Sequence, residues 1–250
     1  MSARNESASI ADVIHGFRCK AQELGLDLSV QVVDDGSTDS TSKKAAGAGA
    51  SVYRFSSPVG LAAAFNRELA LAAESGVDYV VHVDADGQHS PGDLPKFIEK
   101  AMDNYDLILG NRLHVRPAFF ADWQYHGNIF ISEIVSNLLG VAITDSQTGY
   151  RVFSRDVATT IKIMGSVTYT QEQILRAVCA SFTVIEIPIA TQPRLHETSR
   201  IVGDPLHYMA TVFNDLLNVS HELGLTWPQS FKHKKQTRAA YETAATSTIC

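Results

Sequence analysis

The sequence predicts an α/β protein, a sheet with helices packed on its faces, and three observations carry that prediction. Short β-branched runs alternate with helical patterns through the first half, as repeated strand-helix units do. The run Tyr79 to Val83 reads as a buried strand and ends in an acidic turn, the usual place for a ligand crevice in an open α/β sheet. A length of 250 residues with 45% apolar side chains suits one large domain with a substantial core.

The elements follow from apolar spacing. Ser7 to Leu24 carries a helical period through Ile10, Val13, Ile14 and Phe17. Ser29 to Val33 is a strand, Thr41 to Gly47 a short helix and Val52 to Phe55 a second strand. Leu61 to Ala73 is a helix rich in alanine; Tyr79 to Val83, a helix over about 93–102 and the strand Asp106 to Leu109 complete the regular half. The second half predicts helices over about 119–139, 156–164 and 171–180, then a strand, Thr183 to Ile187, ended by Pro188. This half is expected to build the acceptor side. From Asp204 to Leu223 the positions Leu206, Met209, Ala210, Phe213, Leu216 and Leu217 give a terminal helix with one apolar face. One domain is therefore expected over 1–223, and 224–250, with its basic patch and Ala and Thr-rich stretch, reads as a disordered tail.

Composition narrows the function. A formal charge of −6 argues against a nucleic-acid partner, whose phosphates demand clustered Lys and Arg. Cys19, Cys179 and Cys250 have no Cys-x-x-Cys spacing and read as reduced thiols of a cytoplasmic protein. No run approaches the roughly 18 apolar residues of a spanning helix, and Arg4, Asn5 and Glu6 leave no room for a signal peptide, so any membrane contact is expected to be peripheral.

Chemistry concentrates in two acidic turns. After Val83 come Asp84, Ala85, Asp86, Gly87 and Gln88. Magnesium and manganese take oxygen ligands and commonly use one or two carboxylates plus substrate phosphates. Asp86 is thus expected to bind such an ion, Asp84 to reach the donor or a metal-bound water, and Gln88 to add a neutral ligand. Asp86 is read as exposed, so its removal is expected to cost little stability. After Val33 comes Asp34-Asp35-Gly36-Ser37-Thr38-Asp39, whose first carboxylates suit a base or ribose while Ser37 or Asp39 caps the next helix.

These turns resemble those of the family 2 glycosyltransferases, in particular the dolichol-phosphate mannose synthase and polyprenyl-phosphate sugar transferase branch. The similarity extends over about residues 3–203 and includes Ala3-Arg4-Asn5-Glu6, Gly60-Leu61-Ala62, Gly110-Asn111-Arg112, Asp145 to Arg151, and Arg194 with Ser199-Arg200. It implies the GT-A fold, a Rossmann-like mixed sheet flanked by helices, with Mg2+ or Mn2+ and inverting transfer from a nucleoside-diphosphate sugar to a polyprenyl-phosphate or small-molecule acceptor. It also implies base and ribose contacts at Ala3 and Glu6, a nucleotide turn at Asp34 and Asp35, and metal and diphosphate ligands at Asp84, Asp86 and Gln88. Arg112, Arg194 and Arg200 match positions that meet donor diphosphate or acceptor phosphate, a task suited to the guanidinium fork.

Asp145 and Glu172 are the candidate bases for an acceptor hydroxyl, each also readable as structural: a turn former and a favourable charge at a helix N-terminus. An ionised phosphate acceptor needs no strong base. Two departures stand out. The strand that precedes Ala3 in the family is missing, and His126 stands where the lipid-phosphate enzymes often carry Arg, so its contact with acceptor phosphate requires the protonated ring. The competing class is a non-catalytic nucleotide-sugar binder. A phosphotransfer receiver fits less well, because no Lys lies between Lys44 and Lys96 to serve a nucleophilic Asp.

Overall fold

The computed structural model describes residues 1–194 and 205–226. Among them the alternation is β1 (Ser2–Ala3), α1 (Ile10–Glu23), β2 (Gln31–Asp34), α2 (Thr41–Gly47), β3 (Ser51–Arg54), α3 (Leu61–Ser75), β4 (Tyr79–His82), α4 (Leu94–Met102), β5 (Leu107–Asn111), α5 (Asp122–Leu139), β6 (Arg151–Ser154), α6 (Arg155–Thr160), α7 (Tyr169–Cys179), β7 (Val184–Pro188) and α8 (Pro205–Glu222). The expected disordered tail lies, from residue 227 onward, outside the described residues, as does Arg200.

Two sheets result. The first is parallel, in the order β1-β2-β3; the second is mixed, in the order β4-β6-β5-β7, with β6 antiparallel to both neighbours and β5 parallel to β7. The first strand, expected to be missing, is reduced to two residues: Ser2 and Ala3 pair with Val33 and Asp34, and the Val33 and Asp35 amides donate to the Met1 and Ala3 carbonyls. The two sheets meet at a seam where Ala85, just after β4, packs with Ala3 of β1, Ile10 and Ile14 of α1 and Val32 of β2.

Strand β6 is the element the sequence reading lacks. It begins with Arg151, a charge that disguises a strand start, yet this guanidinium is fully buried. It donates to the Ser146, Thr148 and Thr170 carbonyls and to Gln173 Oε1, tying the loop before β6 to the first turn of α7. Four acceptors meet the demand of a buried cation that would otherwise be strongly unfavourable.

The main core lies behind the second sheet, where Phe65 and Leu69 of α3, Ile131, Val135 and Leu138 of α5, and Ile174 and Leu175 of α7 cover Leu107, Leu109 and Phe153. Each such side chain contributes about 1.5–3 kcal/mol on burial. Helix α3 ends at Gly76, whose φ of 69° is the left-handed stop that residues with a Cβ rarely adopt. On the other face α1 and α4 close over Val152, Ile185 and Ile187. The carboxyl ends of β2 and β4 thus open beside the seam.

Candidate active site

The chain leaves β4 at His82, whose Nδ1 lies 2.7 Å from Glu68 Oε2 and whose Nε2 lies 3.3 Å from the Tyr169 hydroxyl, so the strand end is anchored to α3 and α7. Asp84 follows. Its Oδ2 lies 3.2 Å from His89 Nε2, and its carboxylate lies flat against Gly149, where a Cβ would stand 2.0 Å from Oδ2. Gly149 is therefore the residue whose lack of a side chain lets Asp84 reach its position.

Asp86 is buried, 4% exposed, and not the open strand-end carboxylate expected from the sequence. Its Oδ1 accepts from the Gln88 amide at 3.0 Å; its Oδ2 is buried without an aligned hydrogen bond, with the Arg194 guanidinium 3.0 Å away. Burial raises the Asp86 carboxyl above its ordinary range and the charge of Asp84 adds to this, against the opposing pull of Arg194. Asp84 goes the other way: burial would raise it, but the His89 hydrogen bond and the positive charges of His89, His82 and Arg112 hold it well below. Two carboxyls on one turn whose proton affinities are driven apart make this turn the candidate site.

A strap crosses this turn. His89 bridges to Thr191, the Gln192 amide donates to the Gln88 carbonyl at 3.0 Å, and Gln88 Nε2 donates to the Gln192 carbonyl at 3.2 Å. These bonds deliver Arg194 to Asp86.

Beside the seam, the expected nucleotide turn is stitched to the N-terminal segment. The Asn5 amide donates to Ser37 Oγ, the Thr38 amide to Asn5 Oδ1 and the Glu6 amide to Thr41 Oγ1; the Glu6 carbonyl receives the Ser9 and Ile10 amides that open α1. Ser9 Oγ donates to the Ala85 carbonyl at 2.7 Å and joins this cluster to the Asp84–Asp86 turn. Ala3 is buried beneath it. The carboxylates themselves, expected to face a base or ribose, are satisfied by the protein. Asp34 accepts from the Ser37 amide and the Ser42 hydroxyl, and Asp35 from the Val59 and Gly60 amides before α3. They shape the turn, and the loops they hold form its walls.

The two expected bases are likewise engaged. Asp145 is fully buried and takes a two-pronged ion pair from Arg112, 2.8 Å from both Nε and NH2, plus the Arg112 amide. Burial alone would raise its carboxyl, and Arg112 outweighs this and lowers it. Glu172 accepts from the Met164 and Gly165 amides and from Arg176, and so pins the loop before α7. Asp215 of α8 completes that anchor through Ser166, Val167 and Thr168. His126 is exposed on α5, its ring 5.4 Å from Tyr125. The structure thus brings Asp84, Asp86, Gln88 and Arg194 together, with Arg112 and Asp145 adjoining, and leaves Glu172 and His126 with other neighbours. Sequence reasoning gave no role to His89, Gly149 or Arg151; the last two stand inside the run Asp145 to Arg151 and His89 directly follows Gln88, so they were legible only as spacing.

Whether these residues fit a divalent ion is answered by the turn itself. A buried carboxylate oxygen without a hydrogen bond, beside a second carboxylate and facing a cation, is a site that demands positive charge. Among the described residues no three His, Cys, Asp or Glu side chains converge on one point. Two carboxylates and an amide leave the remaining coordination to substrate phosphates and water, the pattern common for Mg2+.

Residues 1–161 match the family model described as glycosyl transferase family 2. The chain is 28% identical to the dolichyl-phosphate hexose transferase of Haloferax volcanii, over 75% of this chain and 79% of the relative. It is also 28% identical to the polyprenol monophosphomannose synthase of Mycolicibacterium smegmatis, over 70% of each. Among solved structures it is similar to the glucosyl-3-phosphoglycerate synthase of Mycobacterium tuberculosis in complex with Mn2+, uridine diphosphate and glucosyl-3-phosphoglycerate, with a TM-score of 0.66 at 19% identity, over 88% of this chain and 78% of that one. The mannosyl-3-phosphoglycerate synthase of Rubrobacter xylanophilus gives a TM-score of 0.68 at 16% identity, over 89% and 73%. These likenesses show the GT-A fold.

Proposed function

Because the chain belongs to glycosyl transferase family 2 and is a glycosyltransferase, we propose that it moves a sugar from a nucleoside-diphosphate donor to the phosphate of a polyprenyl phosphate. The observation that carries the donor half is the buried Asp86 oxygen facing Arg194 beside Asp84, a site built for a cation on a diphosphate. Mg2+ or Mn2+, when bound by Asp84, Asp86 and Gln88, supplies Lewis-acid charge to the leaving diphosphate. Arg194 meets the same developing negative charge, while Asn5, Glu6 and the turn after β2 wall the base and ribose. An α-linked donor attacked in line gives a β-linked product.

The acceptor half rests on what is engaged. Asp145 is occupied by Arg112, and Glu172 by Arg176 and two amides, so neither offers an open carboxylate to take a proton from a hydroxyl. A phosphate acceptor is already ionised and requires no such base. The printed names of the Haloferax and Mycolicibacterium relatives agree with a lipid phosphate. No helix among the described residues is long and apolar enough to cross a membrane.

The test is calorimetric titration with uridine, guanosine and thymidine diphosphates, each with Mn2+ and with chelator. One nucleotide should bind tightly only with metal and lose this in Asp86→Asn. Because the Asp86 charge is disfavoured by burial and by Asp84, the variant should keep its thermal stability or gain on the order of 1 kcal/mol. Metal-independent binding unchanged by Asp86→Asn would sink the assignment and favour a non-catalytic nucleotide-sugar binder.

A further inference from the structure

Arg194 pairs with the carboxylate that a divalent ion on this turn would need. Its NH2 is 3.0 Å from the buried Asp86 Oδ2, and its side chain remains 24% exposed. Bonds at Thr191 and Gln192 hold the chain to Gln88 and His89, while among the described residues the guanidinium meets the turn through a single contact. A guanidinium that paired permanently with a carboxylate would be expected to use both prongs, as Arg112 does on Asp145. One contact to one oxygen is a pairing that can be given up.

Asp86 cannot readily be left alone. It is 4% exposed beside Asp84, and an uncompensated buried charge is strongly unfavourable. A proton or a cation must neutralise the pair whenever donor is absent, and Arg194 is the cation within reach. A divalent ion on Asp86 Oδ2 and a guanidinium on the same oxygen repel each other, so the ion's arrival expels Arg194. With two carboxylates and an amide, the ion has too few protein ligands to compensate for that expulsion unaided. A diphosphate changes both sides of the exchange: it supplies the missing oxygen ligands to the ion and an anionic partner to Arg194.

We propose that Arg194 is the resident counter-cation of the Asp84–Asp86 turn and a positioning residue that makes metal and nucleotide bind together: the ion takes Asp86 from Arg194, and the diphosphate takes Arg194 from Asp86. This rests on the donor-site reading above. Linkage requires the coupling to be reciprocal, so Mn2+ raises nucleotide affinity by the factor by which nucleotide raises Mn2+ affinity, about 5–150-fold for couplings of ordinary size.

The experiment is titration of the full chain with Mn2+ alone, read by the electron paramagnetic resonance of free Mn2+, then repeated with saturating uridine, guanosine or thymidine diphosphate. Arg194→Gln should bind Mn2+ alone about tenfold more tightly than the parent and Mn2+ with its nucleotide about tenfold less tightly. Arg194→Lys, which keeps the charge, should restore the weak affinity for Mn2+ alone. A merely structural Arg194 would weaken both. Equal or weaker binding of Mn2+ alone by Arg194→Gln, with the nucleotide complex still formed by the parent, overturns the counter-cation while the donor site stands. Absence of Mn2+ binding by the parent with every nucleotide overturns the donor site and this inference with it.

Discussion

At the residue scale, the tightest constraint in the site is steric. Gly149 faces Asp84 so closely that a methyl group there would sit 2.0 Å from the carboxylate. Asp84 is held from the other side by His89, so yielding to a methyl group would break that bond and swing the carboxylate toward solvent. Gly149→Ala should therefore cost about 1–3 kcal/mol, the usual effect of overpacking, and reduce metal-dependent turnover, measured by urea unfolding and nucleoside-diphosphate release. A variant unchanged in both would show that Asp84 can move at no cost. Asp145 gives the pH signature. Its carboxyl, raised by burial but lowered further by Arg112, ends below its ordinary 3.8, so its contribution is complete above that value and is lost as pH falls below it. Asp145→Asn should cost about 3–5 kcal/mol at neutral pH, because Arg112 is left buried and unpaired, and should flatten the stability profile below about pH 4. Parallel profiles for parent and variant would assign the acid sensitivity to other groups. The acidic residues were legible in the sequence, but their partners were not. Asp35 closes on amides at Val59 and Gly60, and Asp145 on Arg112, across separations that no local pattern reports.

At the element scale, sequence pattern located α1, α2, α3 and α5 and strands β2 to β5 within a few residues, most of them, though not the exposed β3, because they bury a face against a sheet or helix. It missed β6, whose four residues begin with a charge and whose partners, β4 and β5, come earlier in the chain. A strand inserted between two others is specified by tertiary pairing and by the acceptors that surround Arg151, neither of which has a period. The same holds for the entry to α7, where Glu172 and Asp215, from two helices, together bind the amides of Met164 to Val167. That arrangement makes Glu172 an anchor. Glu172→Gln should lower stability by about 1–3 kcal/mol, as loss of a charged acceptor for buried amides does, while turnover stays within tenfold. A fall of about 10²-fold or more at unchanged fold, the usual contribution of a general base, would return Glu172 to catalysis.

At the scale of the molecule, the site lies across a discontinuity. The turn after β2 belongs to the small parallel sheet and the Asp84–Asp86 turn to the larger mixed one; β1, two residues long, lies on the small sheet, with Ala85 packing and the Ser9 bond to the Ala85 carbonyl among the contacts between the two. The small sheet is also the more weakly supported, since β3 is largely exposed while β5 is buried along its whole length between β6 and β7. Its free energy of local opening should be correspondingly low. A donor whose nucleoside lies on the first sheet and whose diphosphate lies at Asp86 joins the two, and binding adds about 2.7 kcal/mol to the bound form at a hundred times its dissociation constant. Hydrogen exchange should therefore show β5 and β6 slowest and β2, β3 and α2 fastest without ligand. Mn2+ with the cognate nucleoside diphosphate should slow residues 31–54 by close to two orders of magnitude while changing β5 little. If slowing were confined to 84–89, the nucleoside would not reach the first sheet, and the assignment of the turn after β2 as its wall would fall while the metal turn stood.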